Sequence, residues 1–332
     1  MNPARCDDLD YIQFLIAAQT VYSNTEAARC DPRAERERPA HDAYTRLLRR
    51  QPPDSAALWA EVHDCIRLTD GLLVLDDSTL DKPYARAMDL VTWHWSGKHH
   101  QVVRGINLIS LVWTAEDARF PCDFRLYDKA QDGLDKNDHF QHMLFTANAR
   151  GFRPELVAFD SWYASLSNLK LIRACDWQWL TQLKANRLVD PDGTGNRPLS
   201  DTLLGLTGSV VHLKGYGWIK VFKIAAPDGR IEYWATSQLS LTLEQLAAYA
   251  AQVWHIEEYH RGLKQFCGIE RAQHRRAVAQ RNHIGFALRA FLRLECHRLQ
   301  SGVSWFEAKA SIVRQAIRAY LAQPRYCLTA TA

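Results

Sequence analysis

Between residues 71 and 186 the sequence alternates short apolar runs with amphipathic segments, and this alternation constrains the fold more than any other feature. Three apolar runs come first, in GLLVLD, RGINLISLVW and CDFRLY. A helical segment, NDHFQHMLFTANARGF, precedes the fourth run, ELVAFD, and a second one, SLSNLKLIRA, precedes WQWLTQL. Short apolar runs bounded by polar or glycine residues are typical of strands. The order therefore predicts a mixed α/β fold, in which helices cover a mixed sheet.

The flanking regions have different patterns. The first 70 residues are predicted to be helical, with Ser23 and Glu26 at the spacing of a capping box. Residues 187–238 are predicted to form β-hairpins, with Asp228-Gly229 as one turn. Helical periodicity returns in LEQLAAYAAQVWHIEEYHRGLKQF. We therefore predict four segments: a helical region 1–70, the first part of a core 71–186, a β-rich insertion 187–238, and further helices 239–332.

Three acidic residues occupy settings suited to a metal ion. Asp77 and Asp160 each end a strand-like run, and Glu257 lies in the long helical segment. Carboxylates are ligands of hard cations such as Mg²⁺, and two ions held ~4 Å apart can activate an attacking oxygen and stabilise the leaving oxygen of a phosphodiester. We therefore predict that Asp77, Asp160 and Glu257 are catalytic residues that bind two Mg²⁺ ions, for which Mn²⁺ can substitute.

Two of these carboxylates have an acidic neighbour. Asp76 and Asp77 point to opposite faces of a strand, so only one of them can be a ligand, and the spacing to the following threonine favours Asp77. Glu257 competes with Glu258, and the helical face that it shares with Trp254 favours Glu257. Asp160 has no acidic neighbour.

Helical spacing groups six positions around this glutamate on one face. The first three are apolar and are expected to pack inward, the glutamate stands where the apolar stripe ends, and two cations follow. The six are Ala250, Val253, Trp254, Glu257, Arg261 and Lys264. A metal ligand followed by cations that hold phosphates in position is the arrangement this face predicts.

The net charge of +4 is only mildly basic, so the distribution of charge matters more than its sum. Basic residues concentrate in HWSGKHHQVVRG, LKANR, HRGLKQ and ERAQHRRAVAQRNH. The residues predicted to contact DNA phosphates are Arg261, Lys264, Arg271, Arg275 and Arg276. Such a patch predicts salt-dependent binding, with a log-log slope of roughly −0.9 per phosphate contacted.

The cysteines and the N-terminus indicate the compartment. Eight cysteines, among them Cys327, are scattered with no CxxC pair, so zinc-ribbon and redox sites are not expected. No signal peptide opens the chain, and DYIQFLIAAQTVY is too short and too polar to span a membrane. We therefore expect a cytoplasmic protein without a membrane partner.

The segment IEEYHRGLK, with Trp254 before it, resembles the C-terminal signature of bacterial insertion-sequence DDE transposases. Asp77 with Ser78 and Thr79 resembles the first-aspartate motif of that family, and FDSWY resembles the second, in the expected order. The resemblance implies an RNase H-like core, with the first aspartate on the first strand, the second after the fourth strand, and the glutamate on a later helix. In one branch of the family a β-rich insertion precedes that helix. The β-hairpins predicted for residues 187–238 lie at the same place.

That branch carries a Tyr-Arg-Glu-Lys signature. Glu257 and Lys264 match it, whereas Ala250 and Val253 stand where the tyrosine and the arginine are expected.

The resemblance also implies a function. The chain would cleave DNA at the ends of an insertion sequence and transfer the freed 3′-OH to target DNA. Its partners would be terminal inverted repeats and target DNA, bound by a homodimer in the synaptic complex near a prokaryotic nucleoid. Residues 1–70 are expected to bind the element ends, and Trp234 and Trp254 to hold a flipped base. Two alternatives stay open, an RNase H-like nuclease that joins no strands and a catalytically silent DNA-binding derivative.

Overall fold

The computed structural model describes residues 4–52, 54–97, 99–226 and 228–326. Cys327, and Lys98 in the first basic segment, lie outside the described residues. The chain forms two compact units. Residues up to Asp54, Ala87–Asp89 and the chain from Arg261 onward make up one, here called the helical unit. Ser55–Arg86 and Leu90–His260 make up the other, here called the sheet unit.

The elements of the described chain are numbered in chain order. The helices are α1 (Asp8–Ala17), α2 (Asn24–Cys30), α3 (His41–Arg50), α4 (Ala56–Val62), α5 (Lys129–Asp132), α6 (Lys136–Ala149), α7 (Leu166–Ala174), α8 (Leu243–Val253), α9 (His255–Phe266), α10 (Ala277–Ser301) and α11 (Trp305–Ala322). The strands are β1 (Leu72–Asp81), β2 (Thr92–Ser96), β3 (Gln101–Ala115), β4 (Ala118–Leu126), β5 (Leu156–Phe159), β6 (Trp179–Leu183), β7 (Leu188–Asp190), β8 (Arg197–Pro198), β9 (Ser209–Leu213), β10 (Gly217–Ala225) and β11 (Ile231–Thr236).

The strands described in the sheet unit form one mixed sheet. Their order is β2-β3-β1-β5-β6-β11-β10-β9-β7-β8, and β4 pairs with β3. Strand β1 is antiparallel to β3 and parallel to β5, and β5 is parallel to β6. The carboxyl ends of β1, β5 and β6 therefore meet at one edge of the sheet.

The five predicted core strands are all present, as β1, β3, β4, β5 and β6. Strand β2 is not predicted from the sequence, because its polar side chains are buried and its apolar ones are exposed. Trp93 and Trp95 are exposed in β2, whereas His94 and Ser96 are buried. An apolar-run criterion does not find a strand whose polar side chains point inward.

The β-rich insertion extends the same sheet, because β11 pairs antiparallel with β6. Strands β10 and β11 form the hairpin predicted from Asp228-Gly229, with the amide of Ala226 donating to the carbonyl of Arg230. Gly229 has φ +83°, a left-handed conformation that favours glycine. The fold is mixed α/β, with an RNase H-like core, a β-rich insertion and an N-terminal helical region, as the sequence predicts.

The helical unit packs α1 and α3 around α10. Tyr11 and His283 are both buried, and the Tyr11 hydroxyl lies 3.0 Å from Nδ1 of His283. Asp8 at the start of α1 pairs with Arg289 of α10 at 2.7 Å. The Ser23 hydroxyl accepts from the amide of Glu26 at 3.1 Å, at the predicted start of α2. In the described part of the chain, no helix combines the length and the apolar character needed to span a membrane.

The long helix predicted around Glu257 is two helices, α8 and α9, which meet at Trp254. The amide of Trp254 bonds to the carbonyls of both Ala250 and Gln252, and this tightened turn ends α8. The Trp254 side chain is 57% exposed, so the prediction that it packs inward is wrong.

Candidate active site

The strand register sorts the acidic residues onto two faces of the sheet. Leu75 of β1 is level with Phe159 of the parallel strand β5, so Asp76 is level with Asp160, the next residue after each. Asp160 keeps an extended backbone, with φ −67° and ψ 156°. Since side chains alternate along a strand, Asp76 and Asp160 share one face and Asp77 points to the other.

Helix α9, which carries Glu257, lies over the face of Asp76. The Tyr259 hydroxyl of α9 donates to Oγ of Ser110 at 3.3 Å, and Ser110 of β3 pairs with Asp76 across the ladder. His260, also buried, has its Nδ1 3.8 Å from Oδ2 of Asp76. The glutamate helix and the two level aspartates are therefore on the same side of the sheet.

Electrostatics links the carboxylates on this side. Burial raises the pKa of Asp76 well above its ordinary value, and the charges of Asp77, Glu257 and Asp160 raise it further. Asp160 and Glu257 are exposed, whereas the Asp76 side chain is 23% exposed. Asp76, Asp160 and Glu257 thus form an acidic cluster, in which the two exposed carboxylates oppose ionisation of the more buried one.

Asp77 is held on the opposite face by three donors. Lys136 Nζ of α6 and Asn107 Nδ2 of β3 lie 2.8 and 2.7 Å from its Oδ2, and the Tyr163 hydroxyl donates to its Oδ1 at 2.9 Å. Burial alone would raise the pKa of Asp77, but Lys136 and these hydrogen bonds outweigh burial and lower it. Both oxygens of Asp77 are therefore engaged by protein donors, away from Asp160 and Glu257.

Glu258 is also engaged in a structural contact. Nε of the buried Arg119 donates to Oε2 of Glu258 at 2.9 Å, and a second guanidinium nitrogen pairs with the same oxygen. Glu257 is exposed one residue earlier on α9. The geometry thus favours Glu257 over Glu258 as the residue available to a ligand.

The donor set of the cluster is chemically suited to a hard divalent cation. All three side chains offer carboxylate oxygens, which Mg²⁺ prefers. Burial and then the charges of neighbouring carboxylates raise the pKa of Asp76, and a bound cation would relieve the repulsion among those charges. Among the described residues, however, no group of three or more His, Cys, Asp or Glu side chains is already gathered closely enough to hold a metal. The three carboxylates therefore fit the ion by their chemistry and not by a preformed arrangement.

The residues predicted to contact DNA lie in two places. Trp234 of β11 is partly buried, and its Nε1 donates to Oε2 of Glu232 at 2.9 Å. Lys264 Nζ lies 3.3 Å from Oε1 of Glu270. Four of the predicted arginines are exposed in the helical unit, one within α9 and three between α9 and α10: Arg261, Arg271, Arg275 and Arg276. Their solvent exposure leaves the predicted role in phosphate binding open.

Several side chains near Asp77 and Asp160 were not predicted as site residues from the sequence. Lys136 and Asn107 come from segments that carry no motif, and only the fold brings them to Asp77. Trp162 could have been noticed, because FDSWY puts it two residues after Asp160.

Comparison with known proteins identifies the family. A model of the transposase DDE domain family matches residues 69–292. The match covers more than half of the chain and includes β1, β5 and α9, which carry the acidic cluster. A search of curated proteins found no match. The chain belongs to the transposase DDE domain family.

Proposed function

We propose that this chain is the transposase of a bacterial insertion sequence, which cleaves DNA at the element ends and joins the freed 3′-OH to target DNA. The observation that carries the proposal is the acidic cluster, in which carboxylates from β1, from the end of β5 and from α9 share one side of an RNase H-like sheet. Family membership supports the same conclusion.

The proposed catalytic residues are Asp76, Asp160 and Glu257, with Asp76 in place of the Asp77 favoured by sequence. Register supports this revision, because Asp76 is level with Asp160. The three donors on Asp77 give it a different role, which is to hold neighbouring segments together.

Divalent cations, expected to be two Mg²⁺ ions or Mn²⁺, would supply Lewis-acid activation of the attacking oxygen and charge stabilisation of the leaving oxygen. Asp76, Asp160 and Glu257 would hold them. The buried His260 lies beside Asp76, with its Nδ1 3.8 Å from Oδ2 of that carboxylate. Arg261 and Lys264 would hold DNA phosphates through position and charge.

The working complex is proposed to be a homodimer that brings two element ends together. Residues 1–70 would bind the terminal inverted repeats, and the protein would act in the prokaryotic cytoplasm at the nucleoid. Short inverted repeats bounded by a target duplication beside the gene would support this assignment.

The test is to incubate the protein with labelled DNA carrying the gene's flanking sequences, with Mg²⁺ or Mn²⁺, and to separate nicked from joined products. Nicking followed by joining supports the proposal. Nicking without joining would make the chain a nuclease. Binding without nicking would make it a catalytically silent derivative. The feature that favours this alternative is the presence of Ala250 and Val253 where the branch has its tyrosine and arginine.

A further inference from the structure

A large aromatic side chain is exposed just after Asp160 in the chain. Trp162 lies two residues after Asp160 and is 60% exposed. Both sides of its short turn are anchored. The amide of Tyr163 donates to the carbonyl of Asp160 at 3.0 Å, and the buried Tyr163 side chain bonds to Asp77. The turn therefore presents the Trp162 ring to solvent from a fixed backbone.

Two lysines flank this ring. Nζ of Lys136 is 5.9 Å from the centroid of the Trp162 ring, and Nζ of Lys184 is 6.0 Å from it. The salt bridge to Asp77 fixes Lys136. Lys184 is exposed, and within the described part of the chain it has no salt-bridge partner. One lysine is thus held rigidly and the other is available to an anion.

The topology explains why these groups meet at one edge of the sheet. Strands β1, β5 and β6 are parallel neighbours, so their carboxyl ends lie at one edge. Asp160 follows β5, and Lys184 follows β6 directly. Ligands of open α/β sheets bind at this edge. An aromatic ring and two cations therefore lie at the edge of the sheet where ligands of such folds bind.

We propose that Trp162, Lys136 and Lys184 form a binding site for a single DNA strand, in which Trp162 stacks on an unpaired base, Lys184 contacts an adjoining phosphate, and Lys136, held by Asp77, adds positive charge beside the ring. The inference rests on the proposed function, whose substrate it describes. Each nucleotide offers one π-face and one phosphate, which this ring and these cations match.

This assignment differs from the sequence-based expectation for Trp234. The indole nitrogen of Trp234 is bonded to the carboxylate of Glu232, so that ring has an acidic neighbour that repels phosphate. The ring of Trp162 has cations on both sides. Of the two rings, Trp162 has the surroundings that favour a nucleotide.

The test compares the variants Trp162→Leu and Trp162→Phe on two DNA probes, a fully paired short duplex and the same duplex with a few unpaired nucleotides at one end. Leucine keeps apolar bulk and removes the ring, whereas phenylalanine keeps a ring. Trp162→Leu should weaken binding of the frayed duplex roughly tenfold or more relative to the paired one, and Trp162→Phe should retain most of the affinity. Fluorescence anisotropy at fixed salt measures the affinity of each variant for both probes.

Trp218→Leu is the matched control, because Trp218 is 57% exposed on β10 and lies outside the carboxyl edge. Trp218→Leu should leave the ratio of the affinities for the frayed and the paired duplex unchanged. Lys184→Gln should lower the log-log salt slope for the frayed probe by roughly 0.7, the value for one phosphate contact on a single strand.

The inference is overturned if Trp162→Leu binds both probes like wild type, if it loses affinity for both equally, or if Trp162→Phe is as weak as Trp162→Leu. Nicking by the wild-type protein is measured on the same samples. If Trp162→Leu selectively loses binding of the frayed duplex but the wild-type protein does not nick DNA, the proposed function is wrong and the strand-binding site stands. If the wild-type protein nicks DNA but Trp162→Leu shows no selective loss, the strand-binding site is wrong and the proposed function stands.

Discussion

The hydrogen bond from Tyr163 to Asp77 ties the turn that carries Asp160 and Trp162 to strand β1. The Tyr163 side chain is fully buried, its ring stacks on Phe140 with centroids 5.3 Å apart, and its hydroxyl lies 2.9 Å from Oδ1 of Asp77. Replacing Tyr163 by Phe keeps the stacked ring and removes only the donor. The variant therefore isolates one charge-assisted bond.

The expected loss follows from the remaining contacts. Oδ2 of Asp77 keeps Lys136 and Asn107, so the carboxylate stays paired and the cost is that of one hydrogen bond to a charged group, about 1.5–3 kcal/mol. In a unit the size of the sheet unit, each kcal/mol lowers the melting temperature by ~2–4 °C, so Tyr163→Phe should melt ~3–12 °C lower at neutral pH.

The effect should depend on pH with a definite sign. The pKa of Asp77 is lowered in the folded protein, so its bonds stabilise the fold above the unfolded pKa of about 4. That stabilisation is lost as the pH falls through the lower folded pKa. The difference between Tyr163→Phe and wild type should therefore shrink at acidic pH.

Thermal unfolding followed by near-ultraviolet circular dichroism gives the shift, and nicking assays give the functional effect. Tyr44→Phe is the matched control, because the buried Tyr44 donates to Oδ2 of Asp31 at 2.9 Å in the helical unit. It should also lower stability, while nicking by the folded protein stays near wild type. An unchanged melting temperature for Tyr163→Phe at neutral pH would refute the reasoning.

Three further outcomes follow from the contacts. Glu257→Gln should abolish nicking and retain DNA binding. Glu258→Gln should keep nicking but lower the melting temperature, because Glu258 is paired with a buried arginine. Nicking by Glu257→Gln and none by Glu258→Gln would contradict the assignment. Hydrogen bonds from a neighbouring arginine lower the pKa of Asp31 to about 2. In denaturant titrations Asp31→Asn should therefore be less stable than wild type above pH ~4, and the difference in free energy of unfolding should shrink between pH ~4 and ~2. A constant difference over this window would refute the prediction. Replacing both Arg275 and Arg276 by Gln should reduce the log-log salt slope of duplex binding by about 1.8 if each contacts one phosphate, and an unchanged slope in anisotropy titrations would remove them from the interface.

The sequence predicted the core well where burial and pattern coincide. Strands β1, β3 and β5 are runs of buried apolar residues, so an apolar-run criterion finds them. It missed β2, whose exposed positions are the tryptophans Trp93 and Trp95. Local pattern reports a strand only when its inward side chains are apolar.

The choice between Asp76 and Asp77 shows a different limit. Alternation along the strand correctly indicated that the two point to opposite faces. Which face meets Glu257 depends on the pairing of β1 with β5 and on the packing of α9, contacts between segments far apart in the chain. Spacing to a nearby threonine carries no information about either contact.

Trp254 shows a related limit. Its apolar character and helical spacing predicted an inward side chain, but the turn that separates α8 from α9 falls at this residue and the ring is exposed. Helical spacing assigns faces only while one helix continues.

The most direct test compares Asp76→Asn with Asp77→Asn in Mn²⁺-dependent nicking of element-end DNA, with DNA binding and melting temperature measured on the same samples. Loss of a ligand for a catalytic cation removes several kcal/mol of transition-state stabilisation, so Asp76→Asn should nick at least ~10³-fold more slowly while it still binds DNA. Asp77→Asn should be less stable than wild type and still nick DNA. Full nicking by Asp76→Asn, with none by folded Asp77→Asn, would contradict the account.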